Sequence, residues 1–117
     1  MISSRNGIGK MVLSQYSIVL VDLDSDRGAE MKKSRPCVVV SPDEMNRYLK
    51  TVVVAPMTTE ARTYPTRVRI RHNKQTGWIV VDQLTTLDRK KVLRSLGKLK
   101  NPEIRKLKEV IRETYVD

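Results

Sequence analysis

The stretch "SRPCVVVSP", residues 34–42, decides how this chain folds. Its middle, residues 37–40, is uniformly apolar, which is typical of a strand buried in a hydrophobic core. Arg35 stands at the entrance to this strand, directly before Pro36. An isolated arginine at a strand end is expected to extend its charged group into solvent. The rest of the chain must therefore show whether Arg35 has a chemical role.

Four more short segments predict strands, because their apolar residues run together or alternate with polar ones. The segments are residues 16–24, 51–57, 66–72 and 77–84. In the segment 66–72, Val68 and Ile70 alternate with three arginines, which indicates a half-exposed strand with a basic outer face. The polar residues 24–34 and 58–65 predict loops between strands.

The C-terminal residues predict an amphipathic helix. Asn101 is expected to cap it, with Pro102 at the first helical position and Glu103 in the first turn. Its apolar stripe consists of Ile104, Leu107, Val110, Ile111 and Tyr115. Residues 41–50 predict a single helical turn, and residues 87–99 are expected to be helical or turn-like.

The predicted fold class is mainly β, a small and strongly curved antiparallel sheet or barrel closed by the terminal α-helix. A chain of 117 residues is expected to form one domain, here residues 15–117. Residues 1–14 are interpreted either as a flexible N-terminal tail or as sequence upstream of a start at Met11. They lack the apolar central segment and the cleavage site of a secretory signal.

Composition favours a cytoplasmic protein with an anionic partner. No apolar run approaches the roughly 20 residues of a membrane helix, so no membrane partner is expected. The single cysteine, Cys37, excludes an internal disulfide framework and a cysteine-based zinc site, and it is expected to be inert core. The formal net charge of +10 favours a polyanion, either nucleic acid or an acidic protein.

The sequence contains no known metal or cofactor motif. His72, the only histidine, cannot form a histidine pair for acid–base catalysis, and it is interpreted as a solvated residue at a strand end. The segment that begins at Asp22 starts like a calcium loop. Its sixth position is Arg27 rather than glycine and its twelfth is Lys33 rather than glutamate. A metal-dependent hydrolase is therefore not expected, and no cofactor is predicted.

Several short motifs follow one another along three segments of the chain. Residues 21–42 contain Gly28-Ala29-Glu30 and Arg35-Pro36, residues 52–68 contain Pro-x-Thr-Thr at 56–59, and residues 77–99 contain Asp82-Gln83. In this order and spacing they resemble the MazF/PemK (Kid) family of toxin endoribonucleases from bacterial toxin–antitoxin systems. The resemblance covers nearly everything from Tyr16 to the C-terminus.

The resemblance implies an SH3-like barrel with a C-terminal helix that cuts single-stranded RNA at short sequences without a metal ion and so inhibits translation. The catalytic arginine and threonine of the family fall on Arg35 and Thr58. Glu30 occupies its acidic loop position, and Asp82 and Gln83 fall where it contacts RNA. The protein partners implied are an acidic antitoxin and a second copy of the chain, in a homodimer.

The chemistry of RNA cleavage suits these residue types. A ribose 2′-OH can attack the adjacent phosphate and leave a cyclic phosphate and a free 5′-OH, provided that atoms are aligned, protons moved and negative charge stabilised. The guanidinium of Arg35 is a planar fork that grips two phosphate oxygens, and Pro36 restricts its backbone. Thr58 can donate a hydrogen bond to a phosphoryl oxygen. Glu30 either orients Arg35 through an ion pair or transfers a proton, and both alternatives stay open.

Further residues are expected to hold the RNA. Arg27 and Lys33 are basic and lie in the loop before Arg35, where they would guide the phosphate backbone. Polar groups near strand ends can read the edges of unstacked bases. The predicted substrate-binding residues are Arg27, Gly28, Lys33, Thr59, Asp82 and Gln83.

Two other functions remain open from the sequence. A topoisomerase poison resembling the CcdB toxins would share the barrel, but its activity would reside in the C-terminal helix rather than in Arg35 and Thr58. A non-catalytic nucleic-acid-binding barrel would need only the net charge of +10. Discrete cleavage of a long single-stranded RNA in EDTA would separate the endoribonuclease from both alternatives.

Overall fold

The computed structural model describes residues 12–23 and 33–117. Its strands are β1 (Ser17–Asp22), β2 (Ser34–Val39), β3 (Thr51–Thr58), β4 (Arg67–His72), β5 (Gln75–Val80), β6 (Thr85–Asp88) and β7 (Val92–Lys98). Its helices are α1 (Asp43–Tyr48) and α2 (Asn101–Ile111), and a π-helical turn over Arg112–Val116 follows α2. Short 3₁₀ turns cover Val81–Gln83 and Arg89–Lys91.

The strands form one antiparallel sheet in the order β4-β5-β3-β2-β1-β7, with β6 also paired to β3. The eight-residue strand β3 changes partners along its length. On one edge residues 51–54 pair with β6 and residues 57–58 pair with β5, while residues 54–56 pair with β2 on the other edge. A strand shared in this way bends the sheet sharply, so the sheet curls into a half-barrel. The predicted barrel with a C-terminal helix is confirmed.

Both faces of the central strands are covered. Ile18 and Val38 belong to an apolar cluster that includes Leu107 of α2, whereas Val19 and Cys37 belong to a second cluster on the opposite face. Neighbouring residues alternate between the clusters because successive side chains of a strand point to opposite faces. This double burial explains why the central strands are continuous apolar runs rather than alternating ones.

The apolar stripe of α2 packs against the curved sheet, as predicted. Leu107 and Val110 are buried, and Ile104 and Ile111 are half-buried against the same cluster. Beyond the helix, the Tyr115 hydroxyl donates a hydrogen bond of 2.8 Å to the carbonyl of Val81. The π-helical turn is thereby fixed to the 3₁₀ turn that follows β5.

The predicted cap of α2 is wrong by one residue. Lys100 is the N-cap, and Asn101 is already helical. The backbone N–H of Lys100 donates to the Glu103 carboxylate at 2.8 Å. The Glu103 carboxylate therefore accepts a hydrogen bond from a backbone N–H at the start of the helix, where the Asn101 side chain was expected to do so.

The prediction of helical or turn-like structure over residues 87–99 holds only for the 3₁₀ turn at Arg89–Lys91. Residues 92–98 form β7, which pairs with β1, and residues 85–88 form β6. The described part of the chain thus has seven strands rather than five. Charged residues obscure the apolar alternation of β7, because this strand pairs along one edge only and exposes much of its surface.

The first described residues pack onto the fold. Leu13 is buried, and its carbonyl accepts a hydrogen bond of 3.1 Å from the side chain of Asn46 in α1. The Ser41 hydroxyl donates to the Asn46 carbonyl oxygen at 2.6 Å, so this buried amide is held from both sides. None of the helices in the described ranges has the length and apolar character needed to cross a membrane.

Candidate active site

A cleft of about 470 Å³ opens between the start of β2, the end of β3 and the β4–β5 hairpin. Arg35, Thr58 and Thr59 line one side of it, and His72 and Thr76 line the other. These residues are far apart in the sequence, and only the curl of the sheet brings them together. A concave site with a few convergent polar groups is the usual form of a binding or catalytic site.

Strand register places Arg35 beside Thr58. The β2–β3 pairing ends at Cys37 and Pro56, and Arg35 and Thr58 each lie two residues beyond it, at the same end of the two strands. The strand β2 begins at Ser34, three residues before the predicted start, so Arg35 is part of the sheet rather than of the preceding loop. Both residues line the same cleft. The two predicted catalytic residues are therefore brought together by the sheet itself.

The Arg35 side chain is held at the strand end. Its Nε donates a hydrogen bond of 3.1 Å to the carbonyl of Met57, and the residue is half-buried. Arginine has five N–H donors, so this bond leaves the terminal nitrogens for another acceptor. The backbone of Arg35 is fixed on its other side, because Val21 of β1 pairs with it.

The hydroxyl of Thr58 is oriented by a local turn. Its Oγ1 accepts a hydrogen bond of 3.1 Å from the backbone N–H of Glu60. A hydroxyl that accepts one hydrogen bond keeps its proton for donation. Thr58 therefore keeps a hydrogen-bond donor available at the cleft that it lines, while Thr59 is exposed.

Gly77 allows β5 to approach the end of β3 closely. It lines the cleft, and a Cβ at this position would lie 3.3 Å from the carbonyl oxygen of Thr58. Any larger residue would press on the backbone that carries the Thr58 hydroxyl. Gly77 thus helps to fix the geometry of the cleft.

The predicted RNA-contacting pair lies away from this cleft. Asp82 and Gln83 are exposed in the 3₁₀ turn after β5 and do not line the cleft. The Asp82 carboxylate instead accepts a hydrogen bond of 2.8 Å from the Thr66 hydroxyl. The structure therefore separates Asp82 and Gln83 from Arg35 and Thr58 within the chain.

The remaining predicted residues belong to the loop before β2. Lys33 is exposed at its end. Arg27, Gly28 and Glu30 lie outside the described residues, so their predicted roles stay predictions.

Sequence reasoning missed the part that His72 has in the cleft. The residue is half-buried and lines the cleft, so its interpretation as a solvated strand end is wrong. A signal was available, because His72 continues the inward face of β4 after Val68 and Ile70 with a period of two. Gln75 and Thr76, from the same hairpin, also line the cleft and were not predicted.

The ring of His72 fits against Gly97 of β7. A Cβ at position 97 would meet His72 Cε1 at 2.7 Å, and Gly97 has a φ of +146°. The His72 Nε2 atom is buried and has no hydrogen-bond partner in the described part of the chain. Only a glycine combines this backbone conformation with room for the ring.

Burial controls the pKa of the Cys37 thiol, which lies beside the site. Cys37 is buried, and desolvation raises the pKa of its thiol to about 11, against a smaller lowering by the Arg35 charge. A thiol that keeps its proton is a poor nucleophile. The predicted position of Cys37 in the core is confirmed. Within residues 12–23 and 33–117, no group of three or more His, Cys, Asp or Glu side chains is arranged to hold a metal ion.

The chain is thus a small, basic, antiparallel half-barrel with a guanidinium and a hydroxyl at one cleft. The profile of the PemK-like, MazF-like toxins of type II toxin–antitoxin systems matches residues 14–115. The chain belongs to this family.

Individual relatives agree with the family assignment. "Endoribonuclease MazF" of Staphylococcus saprophyticus is 32% identical over 105 residues, which cover 85% of this chain and 85% of the relative. An endoribonuclease solved with its cognate antitoxin, from a mycobacterial species, has a TM-score of 0.74 and 24% identity, covering 86% of this chain and 91% of the other. A MazE–MazF complex from Deinococcus radiodurans has a TM-score of 0.76 and 21% identity, covering 90% and 96% respectively. At these identities the two solved structures support the fold.

Proposed function

We propose that this protein is the toxin of a toxin–antitoxin pair and cuts single-stranded RNA at selected short sequences without a metal ion. Its enzyme class, endoribonuclease, follows from membership of the toxin family and from the curated relative that carries this name. Cleavage of messenger RNA in this way would inhibit translation and growth. The observation that carries the proposal is the convergence of Arg35 and Thr58 on one cleft.

The proposed reaction uses the nucleophile of the RNA itself. The ribose 2′-OH attacks the adjacent phosphorus, its proton is removed, and the P–O5′ bond breaks to leave a 2′,3′-cyclic phosphate and a 5′-OH that takes up a proton. Negative charge grows on the phosphoryl oxygens in the transition state. The terminal nitrogens of Arg35 and the Thr58 hydroxyl stabilise that charge, and the hydrogen bonds that hold both side chains support this role because fixed donors cost little reorganisation.

Residues outside the cleft complete the proposal. Glu30 either forms an ion pair with Arg35 or accepts the proton of the 2′-OH. Asp82 and Gln83 contact RNA at some distance from the cut, since they lie in a different part of the protomer from the cleft. The loop residues, including Arg27, Gly28 and Lys33, guide the phosphate backbone toward Arg35.

The direct test is digestion of a long single-stranded RNA in excess EDTA. We expect discrete fragments that end in a cyclic phosphate and begin with a 5′-OH. An intact RNA would favour the non-catalytic or topoisomerase-directed alternatives, and a DNA gyrase assay would then separate those two. Fragments that appear only when magnesium is added would contradict the metal-independent mechanism.

The proposed protein partner is an acidic antitoxin. Related toxins have been solved with their antitoxins, and the formal charge of +10 would accelerate capture of an acidic, partly disordered tail. The association rate with the cognate antitoxin should fall steeply with added salt, while the dissociation rate changes less. An association rate indifferent to salt would contradict electrostatic steering.

The proposed oligomeric state is a homodimer. Most of the apolar stripe of α2 does not supply the reason, because Ile104, Leu107, Val110 and Ile111 pack within their own protomer and only Tyr115 is exposed. Support comes from the family resemblance and from exposed apolar residues, which include Leu93, Tyr115 and Val116. Sedimentation that shows only monomer at micromolar concentration would contradict the dimer.

A further inference from the structure

The outer face of the β4–β5 hairpin carries charge that the proposed reaction does not use. Val68 and Ile70 of β4 are buried, so the alternate residues Arg67, Arg69 and Arg71 project from the opposite face of the strand. Among residues 12–23 and 33–117, none of these arginines forms an ion pair. Like charges two residues apart on one strand repel each other, and an anionic ligand would relieve that repulsion. This face therefore favours a polyanion.

Trp78 of β5 lies between these arginines and the candidate active site. It pairs with Arg69 of β4 on one side and with Thr58 of β3 on the other. Residues directly opposite each other on antiparallel strands share one face of the sheet, with Cβ atoms about 5 Å apart. The Arg71 guanidinium also donates a hydrogen bond of 3.1 Å to the Thr76 hydroxyl, across the same face. Arg69, Trp78 and Thr58 thus form one row across the sheet, with the proposed catalytic threonine at its end.

The indole of Trp78 is not part of the core. The residue is half-buried, and it is absent from the side chains that pack on either apolar cluster of the described residues. It does not line the cleft either. A large ring left partly in water beside a cluster of arginines offers a flat apolar face on which another flat group can stack.

A second aromatic ring accompanies the arginines at the other end of β4. The Arg67 guanidinium lies over the ring of Tyr64, with Cζ 5.1 Å from the ring centroid, and Tyr64 is half-exposed. The Arg67 Nε atom is buried and has no hydrogen-bond partner in the described part of the chain. Arginines interleaved with aromatic rings are typical of grooves that bind single-stranded nucleic acid. We call this set the hairpin surface; it consists of Tyr64, Arg67, Arg69, Arg71 and Trp78.

We propose that the hairpin surface binds the single-stranded RNA that flanks the cut, with Trp78 stacked on a base outside the cleft and Arg69 and Arg71 in contact with phosphates. The inference deepens the proposed function and rests on it. Because Trp78 is the direct neighbour of Thr58, a strand that leaves the reacting phosphate over this face meets the indole first and the arginines after it. An acidic peptide would be attracted by the same charge, but it lacks the successive flat rings that stack on aromatic side chains.

The first test uses fluorescence. Trp78 is the only tryptophan of the chain, so its emission reports directly on the hairpin surface. Stacking on a base quenches indole emission. Two RNAs share a sequence that the wild type cuts and carry a 2′-deoxy nucleotide that blocks the cut; one ends next to the cut, and the other is extended on both sides. We expect strong quenching by the extended RNA and little by the short one. Equal quenching by both RNAs, or none by either, would overturn the proposal.

The second test compares affinities. The wild type should bind the extended RNA more tightly than the short one. Trp78→Val removes the ring but keeps a strand-forming residue, and it should reduce that gain by about tenfold, whereas Trp78→Phe should keep most of it. Arg69→Gln and Arg71→Gln should each lower the slope of log affinity against log salt concentration by about 0.7, the value for one phosphate contact with a single strand. Arg105→Gln, at an exposed arginine of α2, is the matched control and should keep both the gain and the slope.

The outcomes separate this inference from the proposed function. If RNA is cut but the variants keep the full gain, the hairpin surface does not bind the flank, while the nuclease activity stands. If the wild type cuts no RNA, the proposed function is wrong, and poly-uridine RNAs of the same lengths then decide the inference: quenching that increases with length and is matched by weaker binding of the variants supports it, and equal affinities overturn it.

Two further controls complete the design. Variants that bind RNA like the wild type but bind a poly-glutamate peptide more weakly would assign the hairpin surface to an acidic protein and overturn the proposal. Circular dichroism checks the fold of each variant. If Trp78→Val does not fold, the quenching of the wild type and the salt slopes of Arg69→Gln and Arg71→Gln decide the outcome.

Discussion

The imidazole of His72 lies so close to Gly97 that a Cβ at position 97 would come within 2.7 Å of its Cε1 atom. The two residues belong to β4 and β7, which are not neighbours in the sheet. They meet because the sheet curls, so this contact closes one end of the half-barrel beneath the cleft. Gly97 has a φ of +146°, which residues with a Cβ rarely adopt.

The first prediction concerns this contact. Gly97→Ala should lower the free energy of unfolding by about 1–3 kcal/mol, through backbone strain and overpacking on the ring. Denaturant unfolding of Gly97→Ala, His72→Ala and the double variant measures the coupling between the positions. The double variant should be more stable than the sum of the single effects predicts, because the added methyl group occupies space that the ring has left. Strictly additive effects would show that the ring does not oppose a side chain at position 97.

The second prediction concerns the guanidinium. Arg35→Lys and Arg35→Ala should each reduce single-turnover cleavage by about 10²–10³, because a point charge cannot reproduce the two-pronged grip on phosphate oxygens. Circular dichroism should show an unchanged fold. Arg105→Lys, an exposed position on α2, is the matched control and should cleave like the wild type. Near-normal rates for Arg35→Lys would show that cleavage does not depend on the planar geometry of the guanidinium.

The third prediction concerns the hydroxyl of Thr58. Thr58→Val keeps the size and the β-branch but removes the donor, so the single-turnover rate should fall while affinity for a 2′-deoxy substrate analogue is retained. Thr58→Ser keeps the hydroxyl and should retain much of the activity. Equal rates for Thr58→Val and the wild type would remove Thr58 from the mechanism and direct attention to Thr59 or Glu30.

The fourth prediction concerns pH. Burial raises the pKa of the Cys37 thiol to about 11, whereas an unfolded chain ionises its thiol near a pKa of about 8.5. The unfolded state therefore loses this proton first as the pH rises. The contribution of Cys37 to stability should be complete below about pH 8.5 and be lost as the pH rises to about 11.

The measurement is the difference in unfolding free energy between the wild type and Cys37→Ala at several pH values. Lysines and tyrosines titrate in the same range in both proteins, so the difference isolates the thiol. It should be constant near neutral pH and shrink in alkaline solution. A difference that stays constant up to pH 11 would contradict the raised pKa, and so would rapid reaction of the native thiol with a disulfide reagent at pH 8.

The sequence was most informative about the part of the candidate site that consecutive strands form. Arg35 and Thr58 meet through the register of β2 and β3, which follow one another with only α1 between them. Their motifs and the apolar runs behind them could therefore be recognised without knowledge of the whole fold. Asp82 and Gln83 were recognised by resemblance as well, but no local pattern indicates their distance from the cleft.

The sequence was least informative where distant strands meet. His72 lies at the end of a strand whose arginines suggest exposure, and although it continues the inward face of β4, its contact with Gly97 becomes visible only in the folded sheet. The strand β7 that carries Gly97 has exposed charged residues, such as Arg94 and Lys98, which give it no clear alternation. Pairing with β1, not intrinsic preference, makes this segment a strand.

The pairing of β1 with β7 has a consequence for how the protein folds during its synthesis on the ribosome. The first strand of the sheet cannot complete its hydrogen bonds until the last strand has been synthesised and has left the exit tunnel. Such contacts between distant parts of a chain also form slowly, because a long loop must close before they stabilise anything. Leu96 of β7 lines the cleft, so the nascent chain has no finished site. Each copy of the chain can therefore form its cleft only after β7 has left the ribosome.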